Sequence, residues 1–249
     1  MDPRQSFGKV AANYSVAAYH TDAERLQELV ALAAPQTHEL ALDVATGTGN
    51  VALAMAPHCR GVVGVDLTME MLQEATRVAG QRGAPNLSWV QADAAGLPFR
   101  AATFDLYTVR SAPHHFRDVE GALAEAVRVL KPKGRVCLVD CAPPADVAPF
   151  LHQLEVKRDP SHVRSRPLEE WAAMLEEVGL EVETARLLEL DWDFDGWMNN
   201  MAVPEPLRSQ LTDYVEQAPE PVRSRLKPHR VDGRLRHAYW HALIRARKR

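Results

Sequence analysis

Cysteine is scarce in this chain of 249 residues: there are three, Cys59, Cys137 and Cys141. A disulfide framework is therefore not what holds it together, and a reducing compartment, the cytoplasm, is the expected setting. Long apolar runs are also lacking. Nothing approaches the roughly 20 residues that cross a bilayer, and Met1-Asp-Pro-Arg-Gln-Ser has no apolar signal core, so no membrane association is expected. Neither sign of charge is in excess, since 29 Lys and Arg stand against 33 Asp and Glu. The resulting net charge of -4 gives no general pull toward nucleic acid, and the terminal Arg247-Lys-Arg249 reads as a solvated tail. What is present is 46% hydrophobic and 25% charged residues, the composition of a soluble globular chain with one full core and an insertion.

The stretch Leu40-Ala-Leu-Asp-Val-Ala-Thr-Gly-Thr-Gly-Asn50 organises the rest. Leu40 to Val44 suits a buried parallel strand, and it leads through glycines at 47 and 49 into the helical pattern Val51-Ala-Leu-Ala-Met55. Strand, glycine loop and helix together make a nucleotide-site signature, with free N–H groups at the helix start. Asp43 lies just before the loop, and its carboxylate repels phosphate and suits a cation. A second apolar strand, Gly61 to Val65, ends in Asp66, about 20 residues past the loop, where an acid takes ribose hydroxyls. The expected ligand carries a ribose and a positive charge but no diphosphate.

S-adenosylmethionine meets that description, and at these residues the chain resembles the class I S-adenosylmethionine-dependent methyltransferases. Their first motif is (Asp/Glu)-x-Gly-x-Gly-x-Gly, which Asp43-Val-Ala-Thr-Gly-Thr-Gly49 matches with Ala45 in place of the first glycine. The resemblance implies a doubly wound, mainly parallel α/β sheet of seven strands, Rossmann-like, with helices on both faces and the last strand antiparallel. It implies that Asp43, Ala45, Thr46, Gly47, Thr48 and Gly49 hold the cofactor with Asp66 and Leu67. Met71 would lie against the adenine, whose edge is read by Ala92-Asp93-Ala94, while Arg110 would approach the cofactor carboxylate. An N-terminal helical cap over residues 1–34 would cover the site, with Tyr14 or Tyr19 near the methionine end or simply packing. A second helix of that cap is expected to begin at Thr21, as N-cap.

The fourth strand, Phe104 to Val109, ends in Arg110-Ser-Ala-Pro-His-His-Phe116, at the carboxyl edge where open α/β sheets bind ligands. The Asn/Asp-Pro-Pro-Tyr-like tetrad of enzymes that methylate exocyclic amines is absent. Ala-Pro-His-His-Phe resembles instead the small-molecule methyltransferases related to the ubiquinone and menaquinone C-methyltransferases. Methyl transfer is an in-line displacement, and an acceptor hydroxyl or acidic carbon benefits from a base of near-neutral pKa. His114 and His115 are the candidates for that base, or else residues fixing a turn.

Beyond this turn, a helix over Gly121 to Leu130 and the turn Lys131-Pro-Lys-Gly134 precede strand Arg135 to Asp140. Cys137 and Cys141 lack neighbouring thiols and read as core and strand-end residues, so no metal is expected. After a helix over Asp146 to Lys157, the basic loop Arg158-Asp-Pro-Ser-His-Val-Arg-Ser-Arg166 lies on the substrate side by resemblance. Arg158, His162, Arg164 or Arg166 could hold an anionic group there, or the loop could face water. A helix over Pro167 to Gly179 and strand Leu180 to Leu190 follow. The segment Asp191 to Lys227, with Trp192, Phe194, Trp197, Met198 and Met201, is a candidate lid or a contact for a homodimer. Trp197 is the candidate to line an apolar pocket, and Leu235 to Ala246 closes the sheet.

A single domain over 1–249 is thus expected, comprising the cap, a cofactor core at 35–140, a substrate-side segment at 141–166 and an insertion at 191–230. Its activity would be methyl transfer to oxygen or carbon of a small molecule. The alternatives are a noncatalytic S-adenosylmethionine-binding module, a nucleic-acid methyltransferase and a nicotinamide-dependent oxidoreductase, the last disfavoured by Asp43.

Overall fold

The computed structural model describes residues 3–249. The cap begins as three short helices, α1 (Pro3–Phe7), α2 (Ala11–Val16) and α3 (Ala18–Thr21), before α4 (Ala23–Ala33). Met1 and Asp2, at the start of the expected cap, lie outside the described residues. Asp22, not Thr21, caps α4: its Oδ1 accepts from the N–H groups of Glu24 at 3.0 Å and Arg25 at 3.3 Å. A carboxylate satisfies free helix N–H groups and also opposes the positive end of the helix dipole.

Strands and helices then alternate: β1 (Leu40–Val44), α5 (Asn50–Met55), β2 (Gly61–Asp66), α6 (Met69–Arg82), β3 (Leu87–Gln91) and β4 (Phe104–Arg110). A 3-10 turn, Pro113–His115, precedes α7 (Val119–Val129), β5 (Leu130–Cys141), α8 (Ala148–Arg158), α9 (Leu168–Glu177) and β6 (Leu180–Asp193). Three helices, α10 (Phe194–Asn200), α11 (Leu207–Glu216) and α12 (Val222–Leu226), separate β6 from β7 (His229–Val231) and β8 (Arg234–Lys248).

The sheet runs β3-β2-β1-β4-β5-β8-β6, parallel except for β8, which pairs antiparallel with both β5 and β6. These are the seven expected strands. An eighth, β7, pairs with β8 across Asp232 and Gly233, whose φ values of 50° and 79° are those of a primed hairpin turn. The Lys131 to Gly134 turn is an irregularity inside β5, where Phe104 pairs with Leu130 and Leu106 already with Arg135. The strand order reverses between β1 and β4, so a crevice opens at their carboxyl ends.

Alternation along the strands builds two cores. Leu42, Val44, Val136 and Leu138 face α7 and α9, where Trp171 is fully buried, while Ala41, Cys137 and Val139 face α4 and α5. A third cluster joins α8 to the insertion, with Leu151, Leu154, Phe194, Trp197, Met198, Leu211 and Leu226 all buried. The large apolar side chains of the insertion are thus spent within the chain. Strand β6 runs three residues past Leu190, so the insertion starts at Phe194. Among the described residues, no helix is long and apolar enough to cross a membrane.

Candidate active site

Where β1 ends, the backbone turns sharply. Gly47 and Gly49 have φ of 54° and 81°, and Ala45 has φ of 53°, in the left-handed region that a side chain disfavours. A Cβ on Gly49 would stand 2.7 Å from the Trp89 ring, so this position requires glycine. Gly49 caps α5 behind the loop and is not on the cavity wall, where the motif alone would put it.

The loop is pinned by acids. Asp66 accepts from the Gly47 N–H at 2.8 Å and from the Thr68 N–H at 2.9 Å. Asp43, only 1% exposed, accepts from the hydroxyls of Thr46 at 2.6 Å and Thr108 at 2.7 Å. Burial pushes its carboxyl up to about 6, the two threonine hydrogen bonds working the other way. Burial likewise raises Asp66, opposed by the Thr68 and Gly47 amides. Above these groups lies a cavity of about 470 Å³. Asp43, Ala45, Thr46, Gly47, Thr48, Asp66, Leu67, Met71, Ala92, Asp93, Ala94, Arg110 and Tyr14, all expected at the cofactor, line it. Arg110 also ties down the cap, donating to the backbone carbonyls of Tyr19 at 2.9 Å and His20 at 3.4 Å.

A smaller cavity of about 50 Å³ adjoins the first and shares Phe7, Tyr14, His20, Ser111 and His115 with it. Its other walls include Tyr19, His114, Cys141, Glu155, Arg158, Trp197, Tyr239 and His241. Arg158 is buried, stacks over the Trp197 ring at 3.9 Å and faces Glu155 at 3.8 Å. Glu155 in turn accepts from the Tyr239 hydroxyl. The Tyr14 hydroxyl donates to Met201 Sδ at 3.2 Å, and burial pushes its pKa up to about 12.

The two histidines point to different partners. His114 Nδ1 lies 2.5 Å from Asp140 Oδ1; burial works against its charge, yet Asp140 and Cys141 outweigh burial and hold His114 well above the ordinary histidine value. His115 is pushed down by burial and by His114 beside it, so it stays neutral. Ser161 Oγ donates to Asp159 Oδ1 at 2.6 Å and lies 3.3 Å from His115 Nδ1. The serine proton being used, Nδ1–H donates to Oγ, which leaves Nε2 as the basic nitrogen, 3.8 Å from Asp159 Oδ2.

The basic loop does not face water as a unit. The His114 carbonyl accepts from the N–H groups of Val163 at 2.9 Å and Arg164 at 3.1 Å, clamping the loop to the histidine turn. His162 is buried behind His114 and outside both cavities. Arg164 points outward to Glu170 at 2.6 Å and is removed from the substrate set, because its partner lies on the exposed side of α9. Sequence reasoning missed His20, neutral with a pKa pushed down to about 3 by burial and by Arg110, and also Ser111, Asp140 and Asp159. No local signal marks His20, whereas a polar residue closing β5 at the carboxyl edge could have drawn attention to Asp140. Cys137 and Cys141 are buried as expected, but His114 and Asp140 bring their ligand atoms to within 4.8 Å of that of Cys141.

Residues 42–138 match the model of a family described as a methyltransferase domain. Over 219 residues the chain is 34% identical to the uncharacterized methyltransferase YcgJ of Bacillus subtilis (strain 168), covering 87% of each chain. The chain belongs to the S-adenosylmethionine-dependent methyltransferases. This methyltransferase also superposes on a solved Bacillus halodurans C-125 protein assigned as a methyltransferase, with TM-score 0.85, 34% identity, and 91% and 99% of the two chains covered. It is 40% identical over 111 residues to the ubiquinone/menaquinone biosynthesis C-methyltransferase UbiE of Ruegeria sp. (strain TM1040), a match spanning 43% of this chain and 44% of that one. Its cofactor is S-adenosylmethionine, and the cavity fits: a glycine loop at Gly47 and the buried acids Asp43 and Asp66 on its wall.

Proposed function

We propose that this methyltransferase acts on oxygen or carbon of a small-molecule acceptor seated at the second cavity, with His115 between acceptor and cofactor. The observation that carries the reading is the place of His115, whose ring lines both cavities while remaining neutral. Bound S-adenosylmethionine supplies an activated methyl group on a sulfonium leaving group. Asp66 would take the ribose hydroxyls with lone pairs that Gly47 and Thr68 leave free, and Asp93 with the Ala94 amide would read the base. Asp43 offers negative charge beneath the loop. As the acceptor loses its proton, Nε2 of His115 takes it, and Asp159 Oδ2, which has no hydrogen-bond partner among the described residues, stabilises the imidazolium. His114, already protonated, is not that base. The rings of Phe7, Tyr14 and Tyr19 exclude water.

Calorimetric titration with S-adenosylmethionine, S-adenosylhomocysteine and NAD tests the cofactor half; binding of NAD alone would overturn it. For the chemistry, His115→Ala is expected to lower acceptor-dependent formation of S-adenosylhomocysteine by about 100-fold or more, with S-adenosylmethionine affinity within about twofold. A wild-type rate would remove His115 from the mechanism.

A further inference from the structure

The carboxyl end of β5 gathers chemistry that the proton transfer above does not use. Asp140 is fully buried; Oδ1 meets His114 Nδ1 at 2.5 Å, while Oδ2 has no hydrogen-bond partner among the described residues. Cys141 follows directly, and the ligand atoms of His114, Asp140 and Cys141 all lie within 4.8 Å of one another. Behind them, His162 is 6% exposed, its ring centroid 5.3 Å from that of His114; neither ring nitrogen makes a hydrogen bond among the described residues, and Nδ1 lies 3.9 Å from Glu155 Oε2. A divalent cation can accept lone pairs from a carboxylate oxygen, a thiolate and imidazole nitrogens at once.

We infer that His114, Asp140 and Cys141 form a site for zinc or a similar late first-row divalent ion, with a coordination position open to the second cavity. One nitrogen, one oxygen and one sulfur suit a borderline ion; magnesium and calcium would demand oxygen ligands. The ion takes the place of the proton now shared between His114 and Asp140. With metal–ligand distances near 2.0 Å, two ligands of a tetrahedral ion stand about 3.3 Å apart, so the His114–Asp140 pair opens by less than about 1 Å. The surroundings hold the ligands for this. Val163 and Arg164 clamp the His114 backbone, and Ser165 Oγ lies 3.0 Å from Cys141 Sγ. Because His114 and Cys141 both line the second cavity, the ion would bind an acceptor bearing a hydroxyl: the O–H proton leaves to His115, and the oxygen anion stays on the metal. That use rests on the methyl-transfer reading, whereas the binding of the ion does not.

The test titrates chelator-treated protein with Co²⁺ and follows absorption. One equivalent is expected to give the near-ultraviolet thiolate-to-cobalt band and visible bands of tetrahedral intensity, both displaced by Zn²⁺. Cys141→Ser should abolish the near-ultraviolet band, Cys137→Ala should retain it, and Asp140→Asn should weaken binding at least about 10–100-fold. Calorimetry with S-adenosylmethionine on each variant reports that the fold and cofactor site are intact. No band in the wild type, or a band that survives Cys141→Ser, overturns the site; failure to bind S-adenosylmethionine with the band present would strike the cofactor reading alone.

Discussion

The two cavities share the His115 ring, yet they hold charge in opposite ways. On the cofactor side the two buried acids are each tied by two short hydrogen bonds, to Gly47 and Thr68 for Asp66 and to Thr46 and Thr108 for Asp43. Those donors are backbone amides or hydroxyls a few residues away or on the neighbouring strand, so the wall is rigid before any ligand arrives. On the other side the polar groups contact distant parts of the chain: Arg158 stacks on Trp197, Glu155 meets Tyr239, and Tyr19 bonds to His241 at 2.8 Å. A preorganised wall binds one ligand whatever the acceptor. A wall assembled from the cap, α8, α10 and β8 can change with any of them, and it is there that we propose the acceptor is chosen.

The largest effect expected from this contrast is at Asp66. Asp66→Ala removes two charge-assisted hydrogen bonds that shape the loop, worth about 1.5–3 kcal/mol each, and should weaken S-adenosylmethionine binding by about 100-fold or more in calorimetry. Affinity within threefold of wild type would mean that the loop holds its shape without the carboxylate. Trp197→Ala probes the other wall. Loss of the Arg158 stack and of a buried ring is expected to raise the acceptor KM about tenfold or more, since a desolvated cation–π contact alone is worth about 2 kcal/mol, with cofactor affinity unchanged. A parallel loss of cofactor affinity would dissolve the distinction between the two halves.

Acid should separate them further. Asp43 titrates near 6 in the free protein, and a cationic ligand favours its ionised form. Affinity for S-adenosylmethionine is therefore full above about pH 6 and falls as pH drops through that value, by up to about tenfold per pH unit, one unit corresponding to about 1.4 kcal/mol. Asp43→Asn should bind weakly at all pH and lose the slope. The His20 ring behaves differently. Its folded pKa near 3 lies below the unfolded value of 6.5, so its contribution to stability is present above pH 6.5 and is lost as pH falls, at up to about 1.4 kcal/mol per unit. His20→Gln should flatten that part of the melting-temperature profile and leave the Asp43 slope alone.

The same division governs how much could be read from residues. Asp43, Asp66 and Asp93 each sit at the end of an apolar strand, and strand ends meet at one edge of a parallel sheet, so local pattern places them together. Arg158 and Arg164 lie in one polar loop with nothing local to tell them apart; α9 takes Arg164 outward to Glu170, and Trp197 takes Arg158 inward. His20 reaches both cavities only because Arg110 holds the backbone carbonyls of Tyr19 and His20. The meeting of Cys141 with His114 and Asp140 depends on β4 and β5 being neighbours, and counting thiols along the chain passes over it. Strand β7 was legible in principle, through Asp232-Gly233.

The smallest expected effect concerns the one departure from the glycine motif. Ala45 has φ of 53°, so the chain adopts a left-handed turn at an alanine, where the motif it resembles has glycine. That conformation costs an L-residue about 1–2 kcal/mol. Glycine would relieve the strain but enlarge the conformational freedom of the unfolded chain, at about 0.4–1 kcal/mol. The relief exceeds the loss, so Ala45→Gly should raise stability by up to about 1 kcal/mol in denaturant titration, with S-adenosylmethionine affinity nearly unchanged because Thr46 and Gly47 keep their bonds to Val65 and Asp66. A destabilised variant would show that the Ala45 methyl, packed against the core beside Val44, contributes more than its backbone strain costs.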